Sequence, residues 1–168
     1  DKKDGDDKKD GDKKDSSKPE ERRRSEIKDE LPEEFISQAI KSIVMHEVGH
    51  SLGLRHNFKS STMLPADKLH DTAVTREKGL VGSVMDYAPV NLAARGQKQG
   101  DYYTTTLGPY DYWAIEYGYK SVDGDEATEL KKIASRAPEK DLAYATDQDV
   151  VLNDAPYVNR WDLGADPC

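Results

Sequence analysis

The chain has 168 residues, 35% of them hydrophobic and 35% charged, with a formal net charge of −8. That length suits one domain, and the acidic balance argues against a nucleic-acid surface. No apolar run approaches the roughly 18 residues of a membrane span, no signal peptide is recognisable, and the single cysteine, Cys168, permits no intrachain disulfide.

The chain opens on the repeat Asp-Lys-Lys-Asp-Gly-Asp at 1–6 and 7–12, and residues 1–18 contain only Asp, Lys, Gly and Ser. Nothing there can enter a core, so residues 1–30 are expected to form a disordered, solvated linker. Calcium binding by the Asp/Gly repeat is disfavoured, because the interleaved lysines repel the ion. The run Arg22-Arg23-Arg24 is flanked by glutamates and reads as a solvated helix face. A start on Asp1, inside a repeat, reads as a fragment of a longer protein, and residues 31–168 are expected to be one partial domain.

A helix is expected to open near Leu31-Pro32-Glu33-Glu34, with proline in the first turn and acids at the positive end of the dipole. Ile36, Ile40, Val44, Val48 and Leu52 form one row at i, i+4 spacing and are expected to pack as core together with Ile43. His46 and His50, four apart, share another face, so both rings can reach one ion. Gly53 is expected to end the helix in a left-handed conformation and swing His56 back as a third ligand. Three imidazoles are a catalytic zinc set, leaving one position for water, and Glu47 beside the first ligand is placed as general base.

From Asn57 to Leu80 the pattern is polar and irregular, and His70 within it is expected to be a surface or hydrogen-bonded histidine. Residues 91–103 look like an exposed loop. Pro109 opens a helix expected to run to Tyr117 with Gly118 as its stop; its stripe Tyr110, Trp113, Ala114 and Tyr117 is expected to cover the turn around Met85. A further helix is expected over 127–137, ended by Pro138, and a short strand within 147–154. The Tyr157/Trp161 segment needs a partner to pack on.

The string from His46 to His56 has the form HExxHxxGxxH, and with Ser83-Val84-Met85-Asp86-Tyr87 it resembles the metzincin clan of zinc metallopeptidases. In that resemblance Met85 belongs to the Met-turn beneath the zinc site and supports the imidazoles without binding the metal. More closely, residues 35–160 resemble a bacterial family of secreted or envelope-associated zinc-dependent metalloproteases, through Gly82 to Pro89, Leu107 to Tyr119 and Tyr157 to Leu163. The resemblance implies a mainly α fold: the C-terminal part of a metzincin-like catalytic domain, with active-site helix, Met-turn and following helices. The sheet-bearing half that precedes such a helix is expected to be missing or upstream.

The same resemblance implies zinc, a protein or peptide substrate, and a secreted or cell-envelope location. It gives Tyr87 a role as zinc ligand or oxyanion stabiliser, against the alternative of a buried tyrosine bonding its own hydroxyl. Asp86 and Asp71 are both candidates for hydrogen bonds to the ligand imidazoles. Asn57, after the third histidine, matches no named metzincin subfamily. The readings in play are an endopeptidase, a zinc-stabilised but catalytically silent binding or scaffold module, and a hydrolase of non-peptide bonds.

Overall fold

Helix α1 spans Glu33–Ser51 and is built as its sequence dictates. Glu33 and Glu34 occupy its first turn, and the amides of Phe35 and Ile36 close on Pro32 O. At the other end Gly53 takes φ 85, the Gly53 amide bonds His50 O, and the Leu54 amide bonds Gly49 O. This pair of bonds is a Schellman closure, which requires the left-handed residue that glycine supplies. The computed structural model describes residues 31–152 and 157–166. The linker, the repeat, the arginine run and Cys168 lie outside them.

After α1, short 3-10 turns at Ser60–Thr62 and Ala66–Lys68 lead to α2 (Thr72–Lys78). Then follow α3 (Pro109–Tyr119), α4 (Glu126–Ala134), a 3-10 turn at Lys140–Leu142, and α5 (Asp147–Leu152). No strand occurs among the described residues, and Pro32–Cys168 is one compact unit. The expected strand within 147–154 is therefore a helix where it is described. Its Val-Val-Leu run suits either state, but Asp149 accepts the Thr146 amide at 2.8 Å and starts the helical turn. Helix α3 continues through Gly118 to Tyr119, and α4 ends at Ala134, before Pro138 can act.

The irregular segment from Asn57 to Leu80 supplies Phe58, Met63, Leu64, Leu69 and Leu80 to the core. Met63, Leu64, Leu69 and Leu80 form one buried cluster, joined by Val74 and Leu163. Phe58, Ala145 and Val158 form a second, flanked by Tyr87 and Val150. Their spacing follows neither the helical nor the strand period, because short turns bring them together. The loop 91–103 is exposed over 94–98, as expected, and is anchored at the buried Asn91 and Asp101. Asp101 is 1% exposed and takes bonds from Gln38 Nε2 (3.0 Å), Thr75 Oγ1 (2.8 Å) and Arg76 Nη2 (2.9 Å). Burial opposes its ionisation, but these donors, led by Arg76, hold its carboxyl below the usual range.

Helix α1 meets the body along an unexpected face. Gln38, His46 and Gly49 are its buried residues, and Phe35 packs edge-on against Tyr102 and Tyr103 at 5.3 and 5.5 Å. The apolar row expected in the core is exposed instead, with Ile40 at 59%, Ile43 at 60% and Val44 at 54%, and Ile36, Val48 and Leu52 likewise open. Close approach at Gly49 and the contacts of Gln38 and His46 set the rotation of the helix, and they turn the aliphatic stripe outward. The aromatic stripe of α3 also departs from expectation. Trp113 Nε1 donates to Ile133 O of α4 at 2.8 Å, and Tyr110 stacks on Tyr144 at 5.5 Å. It packs on α4 and the 140–144 segment, while Asp111 of the same helix reaches the Met85 turn.

Candidate metal centre

Two histidines come from the last turns of α1 and the third from the chain that Gly53 redirects. His46 is buried, His56 is half-buried and His50 is exposed, and one ring nitrogen from each lies within 4.8 Å of the others. The ring centroids are 4.7 Å apart for His46 and His50, 4.8 Å for His50 and His56, and 5.4 Å for His46 and His56.

Each Nδ1 is already engaged. His46 Nδ1–H donates to Val84 O at 2.8 Å, His50 Nδ1–H donates to Leu54 O at 3.0 Å, and His56 Nδ1–H donates to Asp147 at 3.1 and 3.2 Å. Acceptors at every Nδ1 leave each Nε2 lone pair available to a metal ion. His56 Nε2 is buried and has no protein partner. A tetrahedral zinc with bonds of about 2.0–2.1 Å needs its nitrogens roughly 3.4 Å apart, which this set reaches with small side-chain shifts. Burial, and then the neighbouring His50 and His56, lower the pKa of His46 against the pull of its Val84 bond. His46 is therefore a neutral imidazole near pH 7, the form that binds metals.

The turn beneath is held from both sides. The Asp86 amide closes on Ser83 O at 3.4 Å, and Met85 is fully buried with its Sδ against Gly49, where a Cβ would collide with it. Asp111, 2% exposed, accepts Ser83 Oγ at 2.6 Å and the amides of Val84 (2.9 Å) and Gly108 (2.8 Å). The peptide whose amide Asp111 ties sits beside the carbonyl that orients His46, so α3 sets the first imidazole through the turn. Tyr87 follows the turn and packs its ring 4.5 Å from His56 and 5.3 Å from His46.

A family model described as Met-zincin matches residues 28–168. The chain belongs to the Met-zincin family. No curated protein and no solved structure matches it. Membership implies a zinc metallopeptidase at the coarse level, with zinc as the metal and peptides as substrates, and the three histidines form a group that could hold the ion. Helical structure without strands in the described residues agrees with the C-terminal part of a Met-zincin domain. No helix among them is long and apolar enough to cross a membrane.

In this Met-zincin the structure brings His46, Glu47, His50, Gly53, His56, Met85 and Tyr87 to one place, but neither acid proposed as an imidazole partner serves there. Asp71 caps α2 by accepting the Ala73 amide at 3.2 Å and pairs with Lys68. Asp86 accepts Ser60 Oγ at 2.8 Å and the Ser61 amide at 2.7 Å. The partner is Asp147, at the start of α5 and 91 residues beyond His56, where no local pattern could reveal it. Asn57 helps deliver it. Its Nδ2 donates to Ala143 O at 3.0 Å and its Oδ1 accepts the Ala145 amide at 3.2 Å, fixing the segment that leads into α5. Asp111 did leave a signal: Gly-Pro-x-Asp at a helix start places a carboxylate on free amides. The fourth histidine, His70, is hydrogen-bonded as expected, its Nδ1 accepting the Gly100 amide at 3.2 Å.

Proposed function

We propose that this Met-zincin is a zinc-dependent metalloendopeptidase in which His46, His50 and His56 hold the metal and Glu47 is the general base. The observation that carries the reading is three histidines with one ring nitrogen each within 4.8 Å of the others and every Nδ1 engaged, beside a cleft that His46 and Glu47 line together. Zinc, when bound, supplies Lewis acidity toward the scissile carbonyl and acidifies water. Glu47 takes the proton from the attacking water and delivers it to the leaving amine. Tyr87, in ring contact with His46 and His56, is close enough to the histidines to steady the negative charge that develops on the reacting carbonyl. Gly53 and Met85 are supports: one turns the chain to His56, the other fills the floor under Gly49. A secreted or cell-envelope location belongs to the same proposal and rests on the resemblance in sequence.

The test is hydrolysis of a quenched peptide library by the zinc-loaded, full-length protein. Cleavage should stop with a chelator and return with zinc, and Glu47→Ala should lose about 10²–10⁴-fold in rate while retaining zinc. Equal rates in Glu47→Ala and wild type would refute the mechanism. Zinc retention with no turnover in wild type would favour the silent scaffold.

A further inference from the structure

Trp161 combines three properties that ordinary packing does not require together. It is the one non-glycine among the described residues with a positive φ, at 65. It is 67% exposed, although indole is a side chain that folding tends to bury. It also lines the cleft that holds His46, Glu47 and Tyr87. A bulky residue in the left-handed region is disfavoured by contact of its Cβ with its own backbone, and it persists only where the surroundings hold it.

The surroundings do so here. The Trp161 amide donates to Tyr87 O at 2.9 Å. The preceding Arg160 is tied to Asp147 Oδ1 at 3.1 Å and lies 5.1 Å over the Phe58 ring, and Val158 is buried beside Phe58. One face of the indole stacks on Tyr87, with centroids 5.4 Å apart and planes at 22°. The strained backbone therefore presents the remaining indole surface at the cleft, next to the tyrosine nearest the histidines.

The cleft has a volume of about 360 Å³, and Val81, Val84, Ala88, Pro89 and Tyr103 contribute apolar surface to it. No lysine or arginine lines it. Its acids are Glu47, assigned to proton transfer, and Asp86. The Asp86 carboxylate is turned away, with Oδ2 taken by Ser60 and Ser61 and Oδ1 closed to solvent. Glu47 is committed to proton transfer and the unpartnered Asp86 Oδ1 is buried, so the cleft presents no dedicated carboxylate for an incoming cationic side chain.

The geometry points to Trp161 as the specificity wall of this cleft, selecting substrates with a large apolar or aromatic side chain beside the scissile bond; this rests on the peptidase reading above. The side chain enters between the indole and the Val81/Val84/Pro89 wall, and its burial adds to binding in proportion to the apolar area it covers.

The test measures binding separately from turnover. Zinc-loaded full chain is titrated with succinyl hydroxamates that differ in one side chain: benzyl, isobutyl, hydrogen or aminobutyl. Benzyl and isobutyl should bind about tenfold or more tightly than hydrogen, the range expected for filling an apolar pocket. That ratio should fall to within about twofold in Trp161→Ala and Trp161→Gly and largely persist in Trp161→Phe. Trp161→Gly should melt no lower than wild type, because glycine adopts the left-handed backbone freely. No binding by any member, no preference in wild type, a preference for aminobutyl, or an unchanged ratio in the alanine and glycine variants each overturns the assignment. Hydroxamate discrimination without cleavage of any library peptide would refute the peptidase reading and leave the wall standing. Cleavage with no side-chain preference in either assay would do the reverse.

Discussion

Replacing Asp147 tests whether the imidazole partners set metal affinity. Its carboxylate accepts His56 Nδ1–H at 3.1 and 3.2 Å and is braced by Arg160 at 3.1 Å and Arg55 at 4.0 Å. Asp147→Ala leaves His56 free to rotate and to change tautomer, and it leaves both arginines without their carboxylate. Partners of this kind are worth about 10–100-fold in metal affinity. The Asp147 side chain is 38% exposed, so water replaces part of the lost bond and the lower end applies, about tenfold or roughly 1.4 kcal/mol. Asp147→Asn keeps an acceptor oxygen without the charge, and an intermediate loss is expected. The assay is competition for zinc against a chromophoric chelator, with melting temperatures recorded in excess chelator to separate folding from metal binding. Zinc affinity within about twofold of wild type in Asp147→Ala would break the link between α5 and the metal centre.

Gly49→Ala places a methyl group against Met85 Sδ. The gain in helix propensity, about 1 kcal/mol, is outweighed by overpacking of about 1–3 kcal/mol, so a lower melting temperature is expected and one at or above wild type would contradict the close contact. Asp86→Asn probes a carboxyl whose pKa burial, aided by Asp162, pushes up to about 7. A raised value means that the fold favours the protonated form: this stabilisation is complete below 3.8 and is lost as pH rises through about 7. Asparagine can keep accepting from Ser60 and Ser61, so relative to wild type the variant should gain stability between pH 4 and 8. The gain is bounded by about 4 kcal/mol, and a difference in urea-unfolding free energy independent of pH would refute it.

How much was legible in the chain depends on how local each feature is. His46, His50, Gly53 and His56 lie within eleven residues, and the helical period with one glycine turn suffices to bring them together. Hydrophobic periodicity located the apolar face of α1 but not its environment, because a stripe says which side is oily and nothing about what touches it. The rotation of the helix is set by Gln38, His46 and Gly49, whose partners lie 36 to 65 residues away. The core around Phe58 and Leu80 escaped for a related reason: short turns carry no period to read. Asp147 and Trp161 owe their roles to the chain's return past Tyr87 and His56, a matter of tertiary path.

The three Nδ1 bonds have a thermodynamic consequence. His50 is oriented from the end of its own helix, His46 from the turn that α3 clamps, and His56 from α5 near the end of the chain. A metal that requires all three therefore binds only when these distant parts have assembled, and the ion acts as a ligand of the native state alone. Zinc at a hundred times its Kd would add about 2.7 kcal/mol to unfolding, and loosening any one of the three segments would weaken the site from afar. Metal affinity in this chain is thus a readout of global folding, and a chelator titration would follow the cooperativity of the whole unit.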